Sequence, residues 1–356
     1  MHIHGLSSGP FTILLGATTA ILLLVGGCGE SAPSTSISEH TIAEVTHFAG
    51  EPDTLIGKIS SIEVAEDGEL FVRDGVTIHA FRPDGTHRTS FGSEGEGPGE
   101  IQFPLAMNVR NDSVFVVDLA KQEQVVFGDD GSHAGRVPVP VLGSQYAFGD
   151  AGHTAAVGTR ASDSTVAVYN EAGNELYQAV TPLQEGRIII DMQEVRSEIA
   201  SGRVPDEVHA TSTAVALDAD GGLWFVRPSK AQVMRYTATG EQKWERTLDL
   251  PEADRIFDAF VEANAALQNP NQYVSLRYVH SPVAVGNELW VIAGMPESEP
   301  AQIIVIDETG AVRHRVHIPE AAGARSFVLS PNRERIYLSI TNQVKIVAAS
   351  VPEALR

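Results

Sequence analysis

The stretch VALDADGGLWFV, at Val215–Val226, decides the fold because its pattern recurs along the chain. It reads as a short apolar strand, a tight turn, and a second strand with an aromatic residue at its centre. Five similar stretches are IEVAEDGELFV (62–72), MNVRNDSVFV (107–116), YAFGDAGHTAAV (146–157), VAVGNELWV (283–291) and FVLSPNRERIYL (327–338). Six copies of a two-strand unit indicate a repeat fold, since one copy alone cannot bury its apolar face.

A second hairpin follows each of the first five copies. Glycine in its turn accepts the positive φ that such turns require. These turn glycines are Gly85, Gly131, Gly173, Gly240 and Gly310. Four strands per unit and six units predict an all-β fold, a six-bladed β-propeller over residues 41–352. The sixth unit lacks one strand, and we expect Thr41–Phe48 to supply it, because a strand from the other terminus closes the ring and removes an open sheet edge.

Two insertions flank the fourth blade, and both have the spacing of short amphipathic helices. Their apolar stripes are Met192, Val195 and Ile199 in the first insertion, and Ile256, Phe260, Ala263 and Leu267 in the second. Both insertions join an outer strand to the next inner strand, and in a propeller these connections share one face, here called the mouth face. Extra segments on one face of a repeat array often mark the binding face. The alternative is that the helices only cover an apolar patch.

The inner strands also begin on the mouth face, which selects candidate ligand-binding residues. Counting back from each strand gives Lys58, Phe103, Gln145, His209, His280 and Arg325. The candidate ligand-binding residues among them are Lys58, His209, His280 and Arg325. Two cations beside two imidazoles are suited to a carboxylate or phosphate group of a ligand. We therefore predict a small anionic ligand or a protein partner at this face.

The amino terminus predicts export and a lipid anchor. Residues 1–27 contain no Asp, Glu, Lys or Arg, and the apolar run 11–25 is short for a membrane span. Val25-Gly26-Gly27-Cys28 follows and resembles the bacterial lipobox, which implies cleavage after residue 27 and lipidation of Cys28. Residues 28–40 then read as a flexible tether. The alternative is a transmembrane anchor with an incidental cysteine. Because Cys28 is the sole cysteine, no intramolecular disulfide is expected.

The resemblance to lipoproteins also implies a location. Gly29 follows the cysteine in place of the aspartate that retains some lipoproteins at the inner membrane. By that resemblance we expect a protein of the cell envelope, anchored in the outer membrane and facing the periplasm.

A glycine-rich run links the first two blades. FGSEGEGPGE, at 91–100, leads to Phe103-Pro104. It resembles the connector of NHL-type six-bladed propellers, and the resemblance is strongest over residues 56–140. It implies the fold and a tendency to bind ligands or proteins, without implying an activity.

The net charge of −21 disfavours nucleic acid and anionic lipid surfaces as partners. There is no nucleophile elbow, no His-Glu-x-x-His and no phosphate loop.

The leading hypothesis is a monomeric, non-catalytic binding or scaffold protein without a cofactor. A metal-dependent hydrolase or lyase, similar to gluconolactonases or hydroxyglycine lyases and using zinc or calcium, is the alternative, although two channel histidines lack a third ligand. A purely structural envelope protein is a third possibility.

Overall fold

Six antiparallel sheets make up most of the computed structural model, which describes residues 37–48, 55–149, 151–158, 165–181 and 190–356. Two short strands come first in the chain, β1 (Ser38–Thr41) and β2 (Val45–His47). Blade one contains β3 (Ser61–Val64), β4 (Leu70–Asp74), β5 (Thr77–Phe81) and β6 (His87–Phe91). The connector to blade two holds a parallel pair, β7 (Ser93–Glu94) and β8 (Glu100–Ile101).

The next three blades repeat the four-stranded pattern. Blade two contains β9 (Pro104–Arg110), β10 (Ser113–Asp118), β11 (Glu123–Gly128) and β12 (His133–Pro138). Blade three contains β13 (Gln145–Phe148), β14 (Thr154–Val157), β15 (Val166–Tyr169) and β16 (Glu175–Ala179). Blade four contains β17 (Ala214–Leu217), β18 (Leu223–Arg227), β19 (Gln232–Tyr236) and β20 (Gln242–Thr247).

The last two blades use the amino-terminal strands. Blade five contains β21 (Val279–Val285), β22 (Glu288–Ala293), β23 (Ala301–Ile306) and β24 (Val312–Ile318). Blade six contains β25 (Ser326–Leu329), β26 (Arg335–Ile340) and β27 (Lys345–Ser350). Strand β2 completes blade six by pairing antiparallel with β27, with Val45 opposite Ala349. The predicted closure of the ring by an amino-terminal strand is confirmed.

Strand β1 corrects the predicted tether. It adds a fifth, parallel strand to the outer edge of blade five, with Ser38 opposite His314. Residues 38–40 are therefore part of a sheet and not of a flexible segment. The polar residues of β1 give no alternating apolar pattern that would predict a strand. An outermost strand needs no buried face, because main-chain hydrogen bonds to the open edge of β24 hold it. The rest of the predicted tether, the signal sequence and Cys28 lie outside the described residues.

The core lies between neighbouring blades. Four of the five aromatic residues at the centres of the repeated strands are almost fully buried, namely Phe71, Trp224, Trp290 and Tyr337. Phe115 differs, since it is half-buried and its ring lies under the guanidinium of Arg110. Strand β23 is buried on both faces, as expected for a sheet sandwiched between two others.

The Asp218 turn has a structural role. The Asp218 carboxylate accepts hydrogen bonds from the main-chain N–H groups of Asp220 and Gly222 and forms a buried ion pair with Arg235. These contacts stabilise the turn between β17 and β18.

The helical insertions are confirmed, and the first contains two helices. They are α1 (Met192–Ala200) and α2 (Asp206–Thr211), and the second insertion forms α3 (Ala253–Ala266). Short 3-10 turns occupy Pro228–Lys230, Pro319–Ala321, Thr341–Gln343 and Glu353–Leu355. Within the described ranges no helix combines the length and apolar character needed to cross a membrane.

The two insertions pack against each other and share a small apolar core. It contains Val195 and Ile199 of α1 together with Ile256 and Phe260 of α3. The apolar stripe predicted that Leu267 would lie on this helix. In the structure, Leu267 lies just beyond the end of α3. The first and third strand connections of each blade form hairpins on the face opposite the insertions, here called the hairpin face.

Candidate functional site

A pocket of about 560 Å³ opens on the mouth face between α3 and the near ends of blades five and six. This volume lies within the range of small-molecule sites. We call it the cap pocket. Its lining residues are Ile256, Ala259, Phe260 and Ala263 of α3, residues 274–277, His280, residues 294–297, and residues 323–325.

A buried ion pair at one end of α3 and hydrogen bonds from an arginine to main-chain carbonyl groups at the other end fix this helix over the blades. At its start, the Arg315 guanidinium of β24 donates to a Glu252 carboxylate oxygen at 2.8 Å, and both side chains are buried. At its end, the Arg196 guanidinium donates to the carbonyl oxygens of Leu267 and Asn269. A cation is favourable there because the carbonyl end of a helix carries partial negative charge. One wall of the pocket is thus held at both ends.

The strip that leads into blade five is clamped to α3. The buried Asn264 amide donates to the Val274 carbonyl at 3.1 Å and accepts from the Val274 N–H at 2.9 Å. On the other side, the Gly294 N–H donates to the Tyr278 carbonyl. A β-carbon at Gly294 would overlap the carbonyl oxygen of Arg277, so only glycine permits this close approach. These contacts fix the main chain that carries Arg277.

Two guanidinium groups share the cap pocket with one carboxylate. Arg325 forms an ion pair with Glu297, and the Asn342 amide donates to the other Glu297 oxygen at 3.1 Å. Arg277 lies at the rim with its side chain exposed to solvent, and its guanidinium donates to no acceptor among the described residues. Loss of hydration lowers the pKa of Arg277, and the neighbouring Arg325 charge lowers it further. The pocket therefore holds an excess positive charge.

His280 lies in the floor of the pocket as a neutral imidazole. It is buried, and burial together with the charges of Arg277 and Arg325 lowers its pKa to about 3. Its Nδ1 lies 3.1 Å from the Ser281 hydroxyl, which donates to the Arg325 carbonyl. Ser281 has a φ of 51° and lies in a bulge of β21. A non-glycine residue in this region is strained, and such strain is concentrated at functional sites.

The structure brings together two of the four predicted site residues. His280 and Arg325 line the cap pocket, whereas His209 and Lys58 do not. His209 lies in α2 with its Nδ1 2.9 Å from the Ser229 hydroxyl, and burial lowers its pKa. The main-chain N–H of Lys58 donates to Asp74. The four do not converge on this pocket because strand starts are spread around the ring, and the pocket forms where the loops of blades five and six meet α3.

Arg277 and Glu297 were missed by the sequence reasoning. Arg277 stands three positions before His280, so a search over the whole segment before each inner strand would have found it. Glu297 lies in the loop between β22 and β23. No local sequence pattern predicts that this loop contacts blade six.

Glu63 is a second uncharged ionisable group on an inner strand. It lies on β3, and burial raises its pKa to about 8. In the part of the chain that the structure describes, no three His, Cys, Asp or Glu residues are placed to hold a metal ion together. The metal-dependent alternative therefore has no assigned centre and stays a prediction that metal analysis of the purified protein would test.

No protein-family model matches the sequence, and no curated protein is similar to it. Solved structures share its fold. A candidate exported protein from Bacteroides fragilis is 12% identical, with 89% of this chain and 100% of that chain covered and a TM-score of 0.52. A luciferin-regenerating enzyme is 11% identical, with 87% and 96% covered and a TM-score of 0.51.

The calcium-binding protein regucalcin from Agrobacterium tumefaciens is 9% identical, with 88% and 95% covered and a TM-score of 0.50. At these identities the likeness supports the six-bladed propeller alone, since one fold hosts many functions.

Proposed function

We propose that this chain is a lipid-anchored, NHL-like propeller of the bacterial cell envelope that binds a small ligand in the cap pocket and does not transform it. One observation carries the proposal: Arg277 and Arg325 lie in one pocket that offers only one carboxylate, Glu297. A bound anion would accept hydrogen bonds from these guanidinium groups and reduce the repulsion between them. The contacts of Val274 and Tyr278 fix the main chain on both sides of Arg277.

The anchor is supported by the sequence Val25-Gly26-Gly27-Cys28, which resembles the bacterial lipobox. Changing Cys28 to serine should release the protein from membranes into the soluble fraction, as measured by fractionation and immunoblotting. Continued pelleting of the Cys28→Ser protein with intact membranes would contradict the anchor.

The NHL-like character is supported by the glycine-rich connector. Its parallel pair places Ser93 opposite Glu100, and the Glu100 carboxylate accepts from the Gly97 N–H at 2.6 Å. Arg136 of blade two donates to the carbonyls of Glu96 and Gly97. The connector is thus bound to the blade that it enters, as expected of a structural repeat element.

Ligand binding is tested by recovering what the protein holds. Full-length protein is purified from envelope extracts, and small molecules released on denaturation are identified by mass spectrometry. We expect a stoichiometric compound with the wild type that is lost from Arg277→Ala and Arg325→Ala. Lys58→Ala is the matched control, because Lys58 lies outside the cap pocket, and it should retain the compound. Equal recovery from the wild type and both arginine variants would overturn the proposal.

A further inference from the structure

We propose that the ligand of the cap pocket is a monocarboxylate carrying an extended apolar chain, of the fatty-acid type. This inference rests on the proposed binding function and adds the chemical class of the ligand. Three features of the pocket lead to it: its charge balance, the shape of its cationic groups, and its apolar wall.

The charge balance calls for one negative charge. Three lining side chains are charged at neutral pH, namely Arg277, Arg325 and Glu297, and His280 is neutral. Their sum is one positive charge, in a protein whose net charge is −21. A monoanion neutralises the pocket, whereas a phosphate dianion would leave excess negative charge beside Glu297. A cationic ligand would add to the repulsion between the two arginines.

The shape of the cationic group favours a carboxylate. A guanidinium presents parallel N–H donors that match the two oxygens of a carboxylate. Arg325 already donates to Glu297, so Arg277 is the group with donors to offer. The Asn342 amide also donates to the Glu297 carboxylate and holds it beside Arg325. The N–H donors of Arg277 are therefore left for the ligand.

The opposite wall of the pocket is apolar. Ala259 and Ala263 of α3 are half-buried, and so is Met295. Val274 keeps 39% of its surface exposed, and it is one of the few large apolar side chains so exposed among the described residues. An apolar chain lying along this wall would remove that surface from water, which is favourable in proportion to the area covered. The ligand therefore has an anionic head at Arg277 and an apolar body along α3.

The inference is tested with defined probes and the full chain carrying Cys28→Ser, so that no anchor lipid competes for the pocket. Binding of decanoate, decanol, decylamine and decyl phosphate is measured by isothermal titration calorimetry at neutral pH. We expect decanoate to bind at least about tenfold more tightly than each of the other three, a tenfold ratio being about 1.4 kcal/mol. Decyl phosphate binding as tightly as decanoate, or decylamine binding at all comparably, would overturn the inference.

Variants distinguish binding of decanoate in the cap pocket from its nonspecific adsorption to the protein. Arg277→Ala should weaken decanoate binding at least about tenfold, and Arg277→Lys should restore part of it, since lysine keeps the charge without the fork. Arg255→Ala is the matched control, because Arg255 lies on α3 and pairs with Glu299 outside the pocket lining. Thermal unfolding confirms that each variant is folded. Decanoate affinity unaffected by Arg277→Ala would contradict the site.

The two proposals fail in different ways. If envelope extracts yield a compound that Arg277→Ala loses, but decanoate does not bind, the binding function stands and the monocarboxylate inference falls. If the extracts yield no compound that depends on Arg277 or Arg325, the proposed function itself falls.

Discussion

The connectors that enter blades one and two differ from the one that enters blade five in how they are held. In blade two, Asp118 at the end of β10 is completely buried and accepts from the N–H groups of Gln102 and Phe103 at 2.8 and 2.9 Å. Asp74 at the end of β4 holds the N–H groups of Gly57 and Lys58 in the same way. One carboxylate thus draws each short connector down onto its blade.

Blade five has no such carboxylate. Its second strand, β22, ends at Ala293, and the incoming connector contains α3, held by Arg315 at one end and Arg196 at the other. Because the helix is fixed at its ends, space remains beneath it, and the cap pocket occupies that space. We therefore expect the way in which a connector is held to determine whether the mouth of the propeller has room for a ligand.

The largest expected effect comes from breaking the buried pair that fixes the start of α3. Arg315→Leu leaves the Glu252 carboxylate buried without its partner, and we expect a loss of about 3–5 kcal/mol in the free energy of unfolding. Arg255→Ala is the control on the same helix, since its pair with Glu299 is largely exposed and is worth at most about 1 kcal/mol. Urea denaturation measures both. Equal losses would mean that the buried pair does not fix the helix.

The aspartate clamp of blade two should matter nearly as much. Asp118→Ala leaves the N–H groups of Gln102, Phe103 and Ala120 without their acceptor, and we expect a loss of about 3 kcal/mol. Asp118→Asn keeps one acceptor oxygen and should lose less. Decanoate binding should be unchanged in both variants, measured alongside urea denaturation. Loss of that binding would show that the two parts of the mouth are not independent.

The two uncharged groups on the inner strands should give opposite pH dependences. His280 has its folded pKa lowered to about 3, so between pH 6.5 and 3 the unfolded chain binds the extra proton and stability falls as pH falls. The slope is at most about 1.4 kcal/mol per pH unit. His280→Gln should remove this acid-side contribution, as followed by urea denaturation at a series of pH values. An unchanged slope in the variant would mean that His280 is not held neutral.

Glu63 provides the smaller effect, because its side chain is only half-buried. Its folded pKa is raised to about 8 from 4.5, so the folded chain keeps the proton in this window and stability falls as pH rises. Glu63→Gln should flatten the alkaline side of the stability profile and leave the acid side unaltered. If Glu63→Gln flattens the acid side instead, the assignment of the two groups is reversed.

The architecture follows from the sequence because its signals are local. Alternating strands, glycine turns such as Gly85 and Gly310, and central aromatic residues such as Trp224 each specify a few neighbouring residues, and their repetition specifies the ring. Strand β1 was not predictable, because its polar residues pair with an open edge far along the chain.

The site follows from the sequence only in part. His280 and Arg325 were found because they lie at the starts of inner strands, whose position the repeat defines. Arg277 and Glu297 join them through the packing of α3, the Asn264 clamp and the Gly294 close approach, which are tertiary contacts. Lys58 lies outside the cap pocket, and its main-chain N–H is held by Asp74 of its own blade.

The most direct measurement is amide hydrogen–deuterium exchange of the full chain carrying Cys28→Ser, with and without saturating decanoate. We expect slower exchange on binding in α3, in residues 274–280 and in residues 294–297, which surround the cap pocket. We expect no change at Gln102 and Phe103, whose N–H groups are already bonded to Asp118. Protection of these two amides by decanoate, or no protection around α3, would contradict the assignment of the binding site to the cap pocket.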